Sequence, residues 1–364
     1  MRICCRKGNR DTKPMLYRNM SGELKSVLED GPIEGEPLVS VCVITYNHGK
    51  YIRQCLDGIL MQKVNFPYEI LIHDDASPDD TADIIREYWE KYPTVIKPIL
   101  QTENQYSQGR YVSWFNFDRA KAKYIAHCEG DDYWTDDGKL QMQVDFLEEH
   151  EEYIGTAHNV RVIDGREIEV PCAVNQYPIY GEHIFSLTDA EYMRLAGQTA
   201  SLVYRNIYHI LPADLMENYY ACSGAGDRKL AVLLTLMGNI HCFSNVMSVY
   251  RYIDSHGSSW SARIKDRNIH GFMHKYYLDM MDFAEKSFSI HLYMEQWLLV
   301  CISGGVKKII ISREWNDFGI LWQIISSFQT WKLILKVLFK NPMMFIRRCA
   351  KVRKLPKVSF VTYT

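Results

Sequence analysis

The sequence predicts an α/β protein: a Rossmann-like, mostly parallel sheet with a mixed antiparallel second half and a helical C-terminal extension. Continuous apolar runs rich in β-branched residues alternate with helical periodicities over the first 150 residues, the pattern of a doubly wound sheet covered on both faces. Three of these runs end in polar tips, Thr45-Tyr46-Asn47, Asp74-Asp75 and Asp131-Asp132, which such a sheet brings to one edge. Beyond residue 150, a hairpin-type turn dipeptide, Asp164-Gly165, replaces the helical connections.

Residues 1–37 are polar and end in Gly31-Pro32 and Gly35-Glu36-Pro37, a loosely attached lead-in with a short helix near Glu23 to Leu28. Leu38 to Ile44 reads as the first strand. Tyr51, Ile52, Cys55, Leu56, Ile59 and Leu60 then recur at helical spacing. Tyr68 to His73 is the second strand. After it, Ser77 suits an N-cap and Pro78 a first helical position, with Ile84, Ile85, Tyr88 and Trp89 on the buried face. Val95 to Leu100 is a third strand, Tyr111 to Ala122 a helix and Tyr124 to His127 a fourth strand. A helix from Gly138 to His150 leads to a hairpin in which Ile154–Ile163 meets Glu167–Val170. Gln198 to Arg205 and Asn239 to Tyr250 read as strands, and segments 271–284, 291–301, 318–328 and 331–339 as helices.

The composition narrows the function classes. The chain has 364 residues, a hydrophobic fraction of 47% and a charged fraction of 24%, enough core and too little charge for a disordered chain. A net charge of -2 gives no general attraction to nucleic acid. Ten cysteines are scattered without Cys-x-x-Cys or zinc-ligand spacing, which points to reduced thiols in a cytosolic compartment. The N-terminus lacks a signal-peptide h-region, and no apolar run reaches the ~18 residues of a spanning helix. No Gly-x-Gly-x-x-Gly or P-loop occurs, which disfavours a dinucleotide or ATP cradle.

The chemistry centres on Glu129-Gly130-Asp131-Asp132-Tyr133-Trp134. Adjacent carboxylates at a strand end repel, and a divalent cation with a preference for hard oxygen ligands, Mg²⁺ or Mn²⁺, removes that cost. A solvated acidic turn is the plainer alternative. Asp227, bounded by glycines at the start of an apolar helix, reads either as a dipole-favoured N-terminal acid or as a general base. From Trp331 to Thr364 there are nine Lys/Arg and no Asp/Glu, interleaved with large apolar residues. Such a tail suits an anionic membrane surface, or a helix packed on the main domain with solvated lysines.

Taken together, Val39 to Asn47, Ile72 to Thr81 and Glu129 to Trp134 resemble, in order and spacing, the opening strand, the Asp-Asp-Gly-Ser-like loop and the Asp-x-Asp-type motif of the family 2 glycosyltransferases, which have the glycosyltransferase A fold. The similarity covers residues 38–257, strongly over 38–150. It implies that Thr45, Tyr46 and Asn47 shape the nucleotide-base pocket and that Asp75 accepts the uracil N3–H. It further implies that Asp131 approaches the ribose or sugar, that Asp132 binds Mn²⁺ or Mg²⁺ across the two phosphates, and that Asp227 is the catalytic base. Arg251 is a candidate to share the diphosphate charge, and His256, displaced from the family's Tyr-Arg-x-His ending, a candidate metal or phosphate ligand, with a surface-loop histidine as the alternative. Ala76 stands where the family usually has Gly or Asn. The Gln-x-x-Arg-Trp motif of processive synthases is not evident.

The resulting expectation is an inverting, metal-dependent transferase moving a sugar from a nucleotide-sugar donor, UDP-linked, to a glycan or lipid-linked acceptor in surface polysaccharide synthesis. It is expected at the cytoplasmic membrane face through residues 331–358, with no nucleic-acid partner. The domains expected are a lead-in (1–37), a catalytic domain (38–258, its nucleotide half 38–150 and acceptor half 151–258) and a helical region (259–364). A nucleotidyltransferase of related architecture and a non-catalytic nucleotide- or sugar-binding scaffold are the alternatives. The first lacks its Gly-rich phosphate loop after the first strand; the second is disfavoured by the presence of both Asp132 and Asp227.

Overall fold

A computed structural model describes residues 22–170, 177–252, 269–298 and 300–301. The short helix α1 (Val27–Asp30), capped by the Ser26 side chain, precedes the sheet. The parallel half consists of β1 (Val39–Thr45), β2 (Tyr68–Asp74), β3 (Ile96–Leu100) and β4 (Tyr124–Glu129), in the spatial order β3-β2-β1-β4. Helices α2 (Ile52–Leu60) and α3 (Thr81–Lys91) make the first two crossovers.

Strand parity explains why β1 shows no polar alternation. Val39, Val41 and Val43 pack with Ile52, Leu56, Ile59, Ile70 and Ile72 on one face. Cys42 points to the other, against Leu71, Phe117 and Ile125. With water excluded from both faces, each buried aliphatic side chain contributes about 1.5–3 kcal/mol.

Helix α4 (Trp114–Phe117) lies between β3 and β4; the second half comprises β5 (Tyr133–Trp134), α5 (Lys139–Glu149), β6 (Tyr153–Asp164), β7 (His183–Phe185) and α6 (Leu187–Glu191). It continues with β8 (Val203–Arg205), α7 (Ile207–Ile210), α8 (Ala213–Ala221), α9 (Gly226–Met237), β9 (Asn239–Tyr252) and α10 (Ile269–Phe288). The described strands form one sheet in the order β3-β2-β1-β4-β8-β6-β9-β5, with β7 on β9. Strand β8 runs antiparallel to both β4 and β6. Helices α8, α9 and α10 close the second core through Tyr219, Leu233, Tyr277 and Met280.

Four local expectations change. The Asp164-Gly165 hairpin forms, but it is short: Asp164 N–H donates to Ile168 O and Val170 N–H to Val162 O. The main partner of β6 is instead β9, parallel to it from Tyr153 to Asp164, a long-range pairing with no local signal. The helix expected over 111–122 shrinks to α4. Side chains in and just after α4 bond the sheet, Asn116 Nδ2 donating to Val43 O and Arg119 Nη2 to Ile72 O. The strand expected over 198–205 is a 3-10 turn (Thr199–Ser201) followed by the brief β8. Ser77 is not the cap of α3, which starts after Asp80; its hydroxyl bonds the Asp74 carboxylate and accepts the Asn47 N–H. Among the described residues, no helix is long and apolar enough to cross a membrane. The helices expected at 318–328 and 331–339 and the basic tail lie outside the described residues.

Candidate active site

Register brings the polar tips together. Thr45 pairs with Asp74 across β1 and β2, and Ile44 with Glu129 across β1 and β4, so the three loops leave the same edge side by side. Gly130 N–H donates to Ile44 O, pressing the acidic turn onto β1. A Cβ on Gly130 would lie 2.5 Å from Thr45 Oγ1 and 2.7 Å from Thr45 Cβ, which is why a glycine occupies this point.

In that turn Glu129, Asp131 and Asp132 each offer a carboxylate oxygen, all within 4.8 Å of one another. Asp132 is 1% exposed. Its Oδ1 accepts the Arg251 backbone N–H at 2.9 Å and its Oδ2 accepts Gln198 Nε2 at 2.7 Å. Burial, then the charges of Asp131 and Glu129, push its proton affinity well up. Glu129 is raised in the same way, by burial first and then by Asp131 and Asp227. Acids held together against their preference, with hard oxygens converging, fit a divalent cation. Asp131 faces His48, Nε2 to Oδ2 3.7 Å, and His48 Nδ1 lies 3.2 Å from Thr45 Oγ1.

Arg251 closes one wall. Its guanidinium lies 4.7 Å from the Tyr51 ring centroid and 5.1 Å from that of Tyr133, a double cation–π contact. It also bonds Gln54 and reaches Glu167 at 3.3 Å. Its Nε is buried without a hydrogen-bond partner among the described residues.

Asp227 lies in the first turn of α9, half-buried, its Oδ1 accepting the Arg228 N–H at 2.7 Å. Its charge contributes to the raised proton affinity of Glu129 and of Tyr111, so it acts on the acidic turn from the start of α9. Tyr46 is half-buried and Asn47 exposed, the latter at φ 61°. Asp75 is buried, and its carboxylate accepts the N–H groups of Gln105 (2.8 Å) and Tyr106 (3.0 Å). A carboxylate offers about four lone-pair sites, which leaves capacity for a further donor. Ala76 sits at φ 60°, which accounts for Gly or Asn being usual at this position.

The structure thus gathers Thr45, Asp131, Asp132 and Arg251, sets Asp227 within charge range, and holds Asp75 one loop away. His256 lies outside the described residues. The sequence reading assigned no role to Glu129, His48, Gln54 or Gln198. Glu129 was legible, two residues before Asp131. Gln198 was not, since it meets Asp132 across 66 positions of chain.

A mixed α/β sheet with carboxylates at the end of β4 defines a protein of the glycosyltransferase A fold. The structure of residues 1–349 of Staphylococcus aureus TarS, in complex with UDP-GlcNAc, superposes with a TM-score of 0.55 at 16% identity, covering 79% of each chain. Residues 40–196 match Glycosyl transferase family 2, and that segment of the chain is a domain of the family. It is 36% identical over 252 residues to a Mycobacterium tuberculosis protein named only as uncharacterized, covering 68% of this chain. The match spans 64% of that relative's length. It is also 32% identical over 135 residues to a Bacillus subtilis protein provisionally named as the teichuronic acid biosynthesis glycosyltransferase TuaG, covering 37% of this chain and 52% of that one.

Proposed function

We propose that this protein is an inverting, metal-dependent glycosyltransferase. It moves a sugar from a UDP-sugar to a hydroxyl of a glycan or lipid-linked precursor in surface polysaccharide synthesis. The observation that carries the reading is the convergence of the Glu129, Asp131 and Asp132 carboxylates at the carboxyl edge of the sheet, with the charge of Asp227 acting on Glu129. Bound UDP-GlcNAc in the TarS structure and the name of the Bacillus relative support the donor and pathway class.

In this reading Asp132, with Asp131 and Glu129, holds Mn²⁺ or Mg²⁺. When bound, the ion supplies Lewis-acid neutralisation of the leaving diphosphate. Thr45, Tyr46, Asn47 and Asp75 receive the nucleotide base. Arg251, fixed by two aromatic rings, offers its guanidinium to the same negative charge. Asp227 accepts the proton of the acceptor hydroxyl as that oxygen bonds the anomeric carbon and the nucleoside diphosphate leaves. A single displacement inverts the anomeric centre. The catalytic unit spans 38–258, and the basic segment 331–358 holds the enzyme at the cytoplasmic membrane face.

Asp227→Asn tests the chemistry. It retains UDP-sugar binding by calorimetry and loses transfer to acceptor by at least about a hundredfold, the scale of a general base. Normal turnover by this variant contradicts the assignment.

A further inference from the structure

The acidic turn supplies Asp132 but does not fix its direction. Both of its oxygens are engaged from distant parts of the chain, Oδ1 by the Arg251 backbone and Oδ2 by the Gln198 side chain. The two donors differ in kind. The first belongs to a β9 backbone that any residue would supply, whereas the second depends on the identity of residue 198.

Gln198 is itself rigidly held. It is 2% exposed. Its Oε1 accepts the Ala200 N–H at 2.7 Å, so the other end of the amide must be the NH₂ group, and that end meets Asp132. Its own carbonyl accepts both the N–H (2.8 Å) and the hydroxyl (2.7 Å) of Ser201. The turn is anchored in turn by Trp134 Nε1 donating to Ala200 O and Gln143 Nε2 donating to Ser201 O. The amide is shielded from bulk solvent, so an apolar replacement leaves the buried Asp132 Oδ2 with one fewer donor. A neutral donor on a carboxylate also orients it without competing for a cation, as an added Lys or Arg would.

We infer that Gln198 is a positioning residue for the acidic cluster: its amide fixes the Asp132 carboxylate so that its remaining lone pairs face Glu129 and Asp131. It touches neither donor nor acceptor and acts through Asp132 alone. This inference rests on the metal reading given above. Orienting partners of metal ligands typically change affinity by about 10–100-fold.

The experiment is a Mn²⁺ titration of the full chain, read by the paramagnetic resonance signal of free Mn²⁺, on the wild type, Gln198→Met, Ser201→Ala and Asp132→Ala. Gln198→Met keeps the length of the side chain and removes its donor. Ser201→Ala loosens the same turn but leaves the Gln198–Asp132 bond. The expected result is roughly 10–100-fold weaker Mn²⁺ binding in Gln198→Met, near wild-type binding in Ser201→Ala and none in Asp132→Ala. Equal affinity in a folded Gln198→Met, or equal weakening in Ser201→Ala, overturns the inference. Should Gln198→Met fail to unfold cooperatively, Gln198→Glu keeps the bond to Ala200 and sets a like charge against Asp132. Weak binding there supports the inference, and wild-type binding overturns it. If the wild type itself holds no Mn²⁺ in the titration, the metal reading fails first and takes the inference with it.

Discussion

Gly130→Ala isolates the contact between the acidic turn and β1. The added methyl would lie 2.5 Å from Thr45 Oγ1, 2.7 Å from Thr45 Cβ and 3.0 Å from His48 Nδ1. None of these yields easily. Thr45 is in register with Asp74 and its carbonyl accepts the Asp75 N–H. The turn is tied to Ile44 O through Gly130 N–H. Gly130 is not among the residues with positive φ, so the penalty is steric and not conformational. Overpacking of this kind costs about 1–3 kcal/mol. At about 2–4 °C per kcal/mol for a domain near this size, the melting temperature falls by about 2–12 °C. Because relaxation must move the acidic turn or the Thr45–His48 pair, divalent-cation binding weakens too. Calorimetric melting of Gly130→Ala beside Gly181→Ala, where the new methyl meets nothing within 4 Å, reads the effect. A melting temperature and Mn²⁺ affinity both unchanged from wild type would refute the packing of this turn.

Other outcomes follow from buried charge. Burial lowers His73 to about 4 and His127 to about 3, below their free values, so their stability contribution is complete above pH 6.5 and is lost as pH falls toward those values. Urea midpoints should therefore drop between pH 6.5 and 4, and His127→Gln should flatten that slope; an unchanged slope would count against buried neutral rings. Lys139 Nζ is fully buried 3.9 Å from the Trp134 ring centroid without a hydrogen-bond partner among the described residues, and burial pulls it down to about 7. Lys139→Met should stabilise by about 1–3 kcal/mol at pH 7, with the gain shrinking as pH rises toward 10, where the free lysine also loses its proton; urea titrations at pH 7 and 9.5 check both. Arg251→Lys keeps the charge but loses the planar stack between Tyr51 and Tyr133. Donor KM measured with UDP-sugars should rise about tenfold or more, since an ammonium cannot reproduce the guanidinium fork on a diphosphate and one lost charge-assisted hydrogen bond is worth about 1.5–3 kcal/mol; an unchanged KM would remove Arg251 from the donor site.

The parallel half was legible because its signals are local. Val39 to Thr45 and Tyr68 to Asp74 are rich in aliphatic residues and buried along almost their whole length, since both faces are covered, and the helices between them carry their own periodicity. The tips Thr45, Asp75 and Asp132 were found for the same reason. The second half was read less well because its order depends on pairings far apart in sequence. The β6–β9 ladder joins residues about ninety positions apart, and neither strand announces its partner. The helix expected over Tyr111 to Ala122 is longer than the one that forms, because Asn116 and Arg119 bond the sheet instead. Within the site, Glu129 was visible beside the acidic pair, whereas Gln198 and the Arg251 backbone reach Asp132 only after the chain has folded.

The central claim is a divalent-cation-dependent nucleotide-sugar site built on Asp132. Thermal shift of the wild type and Asp132→Ala with UDP, GDP, CDP, TDP and their common sugar conjugates, each with Mn²⁺ or EDTA, tests it most directly. A ligand at a hundred times its dissociation constant adds about 2.7 kcal/mol to the folded state. The account predicts that uridine nucleotides raise the melting temperature of the wild type in Mn²⁺, and that both EDTA and Asp132→Ala abolish the shift. A shift of equal size in EDTA, or in Asp132→Ala, would contradict it.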